Sequence, residues 1–123
     1  MARILLVDDD PMVRETIRHI LSAEAHEVTI AADGRIALSL FEKSTFDLVV
    51  TDIIMPERDG IEVITEMRQR QPDVRILAIS GGGRIGNTDF LKIAGKLGAY
   101  AVIAKPFDPD EFVEKVTACL KRD

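Results

Sequence analysis

The sequence predicts an α/β fold with a five-stranded parallel sheet and helices on both faces. Two observations predict it. Five short apolar runs alternate with five amphipathic segments, and the apolar runs are continuous rather than alternating apolar with polar. The runs cover residues 4–7, 28–31, 48–50, 76–79 and 101–104. Each is too short for a helix and, Thr29 apart, too uniformly apolar for a strand with one wet face, so each reads as a strand buried on both sides.

The intervening segments carry helical periodicity. Val13, Ile17, Ile20 and Leu21 share one face, and Ile36, Ala37, Leu40 and Phe41 share another. Asp10-Pro11 reads as an N-cap followed by proline at the first helical position. Asp108-Pro109-Asp110-Glu111 repeats that logic and adds an acidic residue at the third helical position. Asn87 is the candidate cap of a helix through Phe90, Leu91, Ala94 and Leu97, with Gly98 as its stop. The order is (βα)5. Right-handed crossovers leave few topologies, and the flavodoxin-like order 2-1-3-4-5 is the commonest that suits five units.

The 123 residues fit one domain, long enough to bury roughly two-thirds of the unfolded surface. No linker or low-complexity tract interrupts them, so residues 1–123 are expected to form a single domain. A net charge of −5 argues against direct nucleic-acid binding, which calls for a basic stripe. One cysteine, Cys119, forbids an internal disulfide and suits a reducing compartment. No apolar run approaches the ~20 residues of a membrane span, and no secretory leader is apparent. A cytoplasmic protein without membrane contact is the expectation.

The informative polar residues fall where strands end. Strand one runs into Asp8-Asp9-Asp10, strand three into Thr51-Asp52, strand four into Ser80-Gly81-Gly82-Gly83 and strand five into Lys105-Pro106. In this topology the C-terminal strand ends share one edge, and ligands bind there. Asp8, Asp9, Asp52, Ser80 and Lys105 are therefore expected to converge. Two carboxylates ~5 Å apart repel by about 3 kcal/mol at an effective dielectric near 20, so three together call for positive charge. Lys105 supplies one unit and a divalent cation two more. An all-oxygen donor set with room left for phosphate suits Mg²⁺ better than an all-protein Ca²⁺ cage, and no Cys/His cluster suggests zinc.

Taken together, these motifs resemble the receiver domains of two-component response regulators over essentially the whole chain. The resemblance rests on Val7-Asp8-Asp9-Asp10, on Thr51-Asp52-Ile53-Ile54-Met55-Pro56 with Asp59-Gly60 following, on Ser80, and on Lys105-Pro106-Phe107. It implies that Asp52 is the nucleophile and phosphoacceptor. It implies that Asp9, Asp52 and the backbone carbonyl of Ile54 ligate Mg²⁺, with Asp8 acting through a metal-bound water. Lys105 would pair with the Asp52 carboxylate and then with the phosphoryl oxygens, and Ser80 would hydrogen-bond the phosphoryl group. The implied donor is a phosphohistidine on a histidine kinase or histidine phosphotransfer protein. Such a chain is no enzyme toward separate substrates; it catalyses only its own phosphorylation and dephosphorylation. Output would pass through residues 87–97, 101–104 and 108–121 to an unknown downstream protein, as a monomer or a phosphorylation-dependent dimer.

Three features depart from the family's commonest pattern. Val102 stands where an aromatic often swings inward on activation, with Tyr100 two residues earlier. The stretch Gly81-Gly82-Gly83-Arg84-Ile85-Gly86 is rich in residues that tolerate unusual dihedrals, and is expected to be a mobile loop. Ile54 is apolar where a polar side chain can orient the hydrolytic water, which implies slow phosphate loss.

Other readings stay open on the residues alone. A phosphatase of the haloacid-dehalogenase type would carry its nucleophile after strand one, but Asp8-Asp9-Asp10-Pro11-Met12 lacks the final Thr or Val of that motif. A nucleotide or flavin module would need a phosphate-binding fingerprint after strand one, and the glycine run at 81–86 is not one. A receiver that signals without phosphorylation would not need the full acidic set. His19 is expected on the polar side of the first helix and His26 at the start of strand two. Cys119, Met55 and Met67 are expected in packing roles.

Overall fold

In the computed structural model, residues 2–52, 60–80, 101–104 and 107–121 are described. The strands are β1 (Arg3–Val7), β2 (Glu27–Ala31), β3 (Leu48–Asp52), β4 (Ile76–Ser80) and β5 (Ala101–Ala104). They form one parallel sheet in the order β2-β1-β3-β4-β5, as the alternation predicts. The described helices are α1 (Pro11–Ala23), α2 (Gly34–Lys43), α3 (Gly60–Arg70) and α4 (Pro109–Leu120). The helix expected over residues 87–97, its signals Asn87 and Gly98, the glycine-rich stretch, Tyr100, Met55 and Pro106 lie outside the described residues.

Strand alternation divides the core into two layers. Leu5, Val7, Val49, Ile76 and Ala78 face α2 and α3, where they meet Ala37, Leu38, Phe41, Val63, Ile64 and Met67. Ile4, Leu6, Leu48, Val50, Leu77, Ile79 and Ile103 face the other way, toward Ile17 and Leu21 of α1 and Phe112, Val116 and Cys119 of α4. β1 beyond its first residue and all of β3 are buried on both faces. β2 departs from expectation: three of its five residues are only half-buried, because it is an edge strand with a neighbour on one side alone.

The caps behave as their chemistry requires. The Asp10 carboxylate accepts the N–H groups of Met12 and Val13 at 2.9 and 3.4 Å, and Pro11 fills the first helical position. The Asp108 carboxylate accepts the Asp110 N–H at 2.8 Å. Asp33 caps α2 by accepting the Ile36 N–H at 2.9 Å. The apolar face of α2 is rotated from the expected one. Ile36 is exposed, and Leu38 is buried with Ala37 and Phe41 in the layer against the sheet. His19 is exposed on α1, while Met67 and Cys119 are wholly buried.

Candidate functional site at the C-terminal edge of the sheet

Register builds the site. Val7 of β1 lies level with Thr51 of β3. The next residues, Asp8 and Asp52, therefore occupy adjacent positions one step beyond, with side chains of the same parity. By that parity both project toward the layer shared with α1 and α4. Asp52 is level with Ile79, and Ile79 with Ile103. Ser80 and Ala104 stand opposite each other one step further along, and Lys105 follows Ala104 directly.

The carboxylates of Asp8, Asp9 and Asp52 meet there. One oxygen from each lies within 4.8 Å of the others. Asp8 is wholly buried and Asp52 is 5% exposed, whereas Asp9 reaches solvent. Burying two acids beside a third is costly unless counter-charge and hydrogen bonds compensate. Part of the hydrogen bonding is explicit. Asp8 Oδ1 accepts the Asp10 N–H at 2.9 Å, and the Asp8 N–H donates to the Ala31 carbonyl at 3.2 Å. The buried Thr51 hydroxyl donates to the Asp52 carbonyl at 3.0 Å, fixing the backbone where β3 ends. The donor set is all oxygen and anionic, with one member at the surface, and so it fits a hard divalent cation with coordination positions left for solvent or substrate.

Of the residues expected at the site, Asp8, Asp9 and Asp52 are brought together. Ser80 is placed at the same edge by its register, and Ile54 and Lys105 lie outside the described residues. Sequence reasoning misses Arg14. This half-buried residue in the first turn of α1 donates from Nη1 to the Asp8 backbone carbonyl at 3.1 Å. The signal that could have found it is its place four residues after the cap Asp10, one turn of helix above the acidic run. Val102 is partly buried and packs on the α2–α3 side of the sheet, the face opposite Ile103.

The family model for the response regulator receiver domain matches residues 4–117. The chain belongs to the response regulator receiver family. It is 38% identical over 121 residues to the response regulator MprA of Mycolicibacterium vanbaalenii, covering 98% of this chain and 51% of that protein. The receiver thus spans about half the length of the curated relatives it matches. Among solved structures, NtrX from Brucella abortus superposes with a TM-score of 0.90 at 33% identity, over 97% of this chain and 26% of that one. The chemotaxis regulator CheY4 of Vibrio cholerae superposes with a TM-score of 0.85 at 30% identity, over 98% of this chain and 99% of that one. Receiver domains are signalling modules of two-component systems, with partners of the histidine-kinase kind and an acidic pocket that binds Mg²⁺. Among the described residues of this receiver, no helix is long and apolar enough to cross a membrane.

Proposed function

We propose that this receiver is a phosphoacceptor switch in which Asp52 takes a phosphoryl group from a phosphohistidine. The observation that carries the reading is the convergence of Asp8, Asp9 and Asp52 at the strand-end edge. A carboxylate needs no general base, so the chain's task is to position the nucleophile and neutralise charge. One Asp52 oxygen attacks phosphorus in line with the imidazole nitrogen. The P–N bond breaks as the O–P bond forms, the electron pair leaves with the imidazole, and Asp52 becomes an acyl phosphate.

Asp9 and Asp52 with the Ile54 carbonyl would hold Mg²⁺ directly, and Asp8 would hold it through water. The cation when bound supplies charge neutralisation and orients the phosphoryl oxygens. Ser80, the last residue of β4, and Lys105, the residue after Ala104 in the sequence, are proposed to contact the phosphoryl group. Hydrolysis of the acyl phosphate resets the switch, and the apolar Ile54 makes that step slow. Ile54→Asn is expected to hasten it. The changed surface is assigned to residues 87–97, 101–104 and 108–121, where a downstream protein or a second copy would bind. We further read residues 1–123 as a single receiver domain working in the cytoplasm.

Transfer from a phosphorylated histidine kinase or histidine phosphotransfer protein tests the reading. Label should move to this chain in the presence of Mg²⁺ and stay on the donor when a chelator is added. Transfer that is indifferent to the chelator contradicts it.

A further inference from the structure

Asp8 is tied to α1 at two atoms. Its carboxylate accepts the Asp10 N–H at 2.9 Å, and its carbonyl accepts Arg14 Nη1 at 3.1 Å. Asp10 is in turn fixed from both sides, because its carboxylate caps α1 and its carbonyl accepts the Arg14 N–H at 2.9 Å. Asp9 is the residue between these two anchored neighbours. A short turn held at both ends keeps the backbone that carries the Asp8 and Asp9 carboxylates in one conformation, with little freedom left to lose when a ligand binds.

We propose that Arg14 is a positioning residue for divalent-cation binding: its guanidinium clamps the turn between β1 and α1 so that the Asp8 and Asp9 carboxylates converge with Asp52. The proposal rests on reading that cluster as the Mg²⁺ site. It also sets two effects of opposite sign against each other. As a clamp, Arg14 strengthens cation binding. As a nearby positive charge, it weakens cation binding. The clamp dominates, because it acts through a half-buried hydrogen bond on the backbone of a ligand-bearing turn, whereas charge at that exposure is screened by solvent.

The measurement is Mg²⁺ binding by titration calorimetry on the wild-type chain and on Arg14→Met and Arg14→Gln, with urea unfolding of each variant in parallel. Arg14→Met removes both charge and donor and should weaken Mg²⁺ binding about tenfold, the usual scale for losing a group that orients a metal ligand. Arg14→Gln removes the charge but keeps an N–H donor on a shorter arm, and should recover part of that loss. Urea midpoints should not follow the order of the Mg²⁺ affinities, since a merely stabilising arginine would move stability and leave affinity alone. Unchanged or tighter Mg²⁺ binding in Arg14→Met overturns the clamp while leaving the cation site intact. No Mg²⁺ binding by the wild-type chain overturns the site itself and the clamp with it.

Discussion

The carboxylate of Asp8 accepts the backbone N–H of Asp10 at 2.9 Å, so the wholly buried acid of the site is bound to the residue that caps the next helix. The two acids have separable duties. Asp8 uses its side chain at the sheet edge, and Asp10 turns its own toward the N–H groups of Met12 and Val13. Alanine at position 10 removes the cap but keeps the N–H that Asp8 needs. Asp10→Ala should therefore cost about 1 kcal/mol of stability, and Asp10→Asn much less, as seen in urea unfolding. Mg²⁺ binding should survive both substitutions.

The end of α1 carries strain that can be relieved. Ala25 sits at φ 66°, its N–H donates to the Ser22 carbonyl at 2.9 Å, and the His26 N–H donates to the Leu21 carbonyl at 3.2 Å. This is the Schellman pattern, with alanine where glycine is usual. Left-handed geometry costs a residue with a Cβ roughly 1–2 kcal/mol, and the greater freedom of unfolded glycine returns part of that. Ala25→Gly should raise stability by up to about 1 kcal/mol, read as a higher thermal midpoint.

His26 gives stability a pH dependence. Its Nδ1 accepts the Ala2 N–H at 3.1 Å, which requires the neutral ring at that atom. Burial holds its pKa below the usual histidine range, although the Glu24 carboxylate pulls the other way. A histidine whose folded pKa is depressed contributes stability that is complete above its unfolded pKa of about 6.5 and is lost as pH falls through the folded value. Unfolding midpoints should therefore decline from pH 7 toward pH 5, and His26→Gln should flatten that part of the profile.

Cys119 should be silent in the folded protein. It is wholly buried, and burial pushes its thiol up to about 11 against the opposing influence of Arg75 and Lys115. Thiolate is the reactive form. Alkylation by a maleimide or iodoacetamide reagent should be slow in buffer and become rapid across the same urea range in which helical signal is lost.

The strands and their order were legible because buried parallel strands leave continuous apolar runs, and Ile4 to Val7 and Leu48 to Val50 are such runs. The convergence of Asp8 with Asp52 was legible as well, since it follows from which residues end those strands. Other features were not. The rotation of α2 that exposes Ile36 and buries Leu38 is decided by tertiary packing, and both residues suit an apolar stripe. The half-burial of β2 goes with having a neighbour on one side only, and the polar Glu27 and Thr29 were its only marks in the sequence. The Arg14 bond to the Asp8 carbonyl joins a side chain to a backbone atom, and its one sequence mark, a place four residues after the cap Asp10, does not set it apart from the many other charged residues.

Phosphorylation of Asp52 can be read directly as intact mass after incubation with a small acyl phosphate and Mg²⁺. The wild-type chain should gain one phosphoryl group, and Asp52→Asn should gain none under the same conditions. No addition to the wild-type chain with Mg²⁺ present, or an addition that persists in Asp52→Asn, would contradict the assignment of Asp52 as the acceptor.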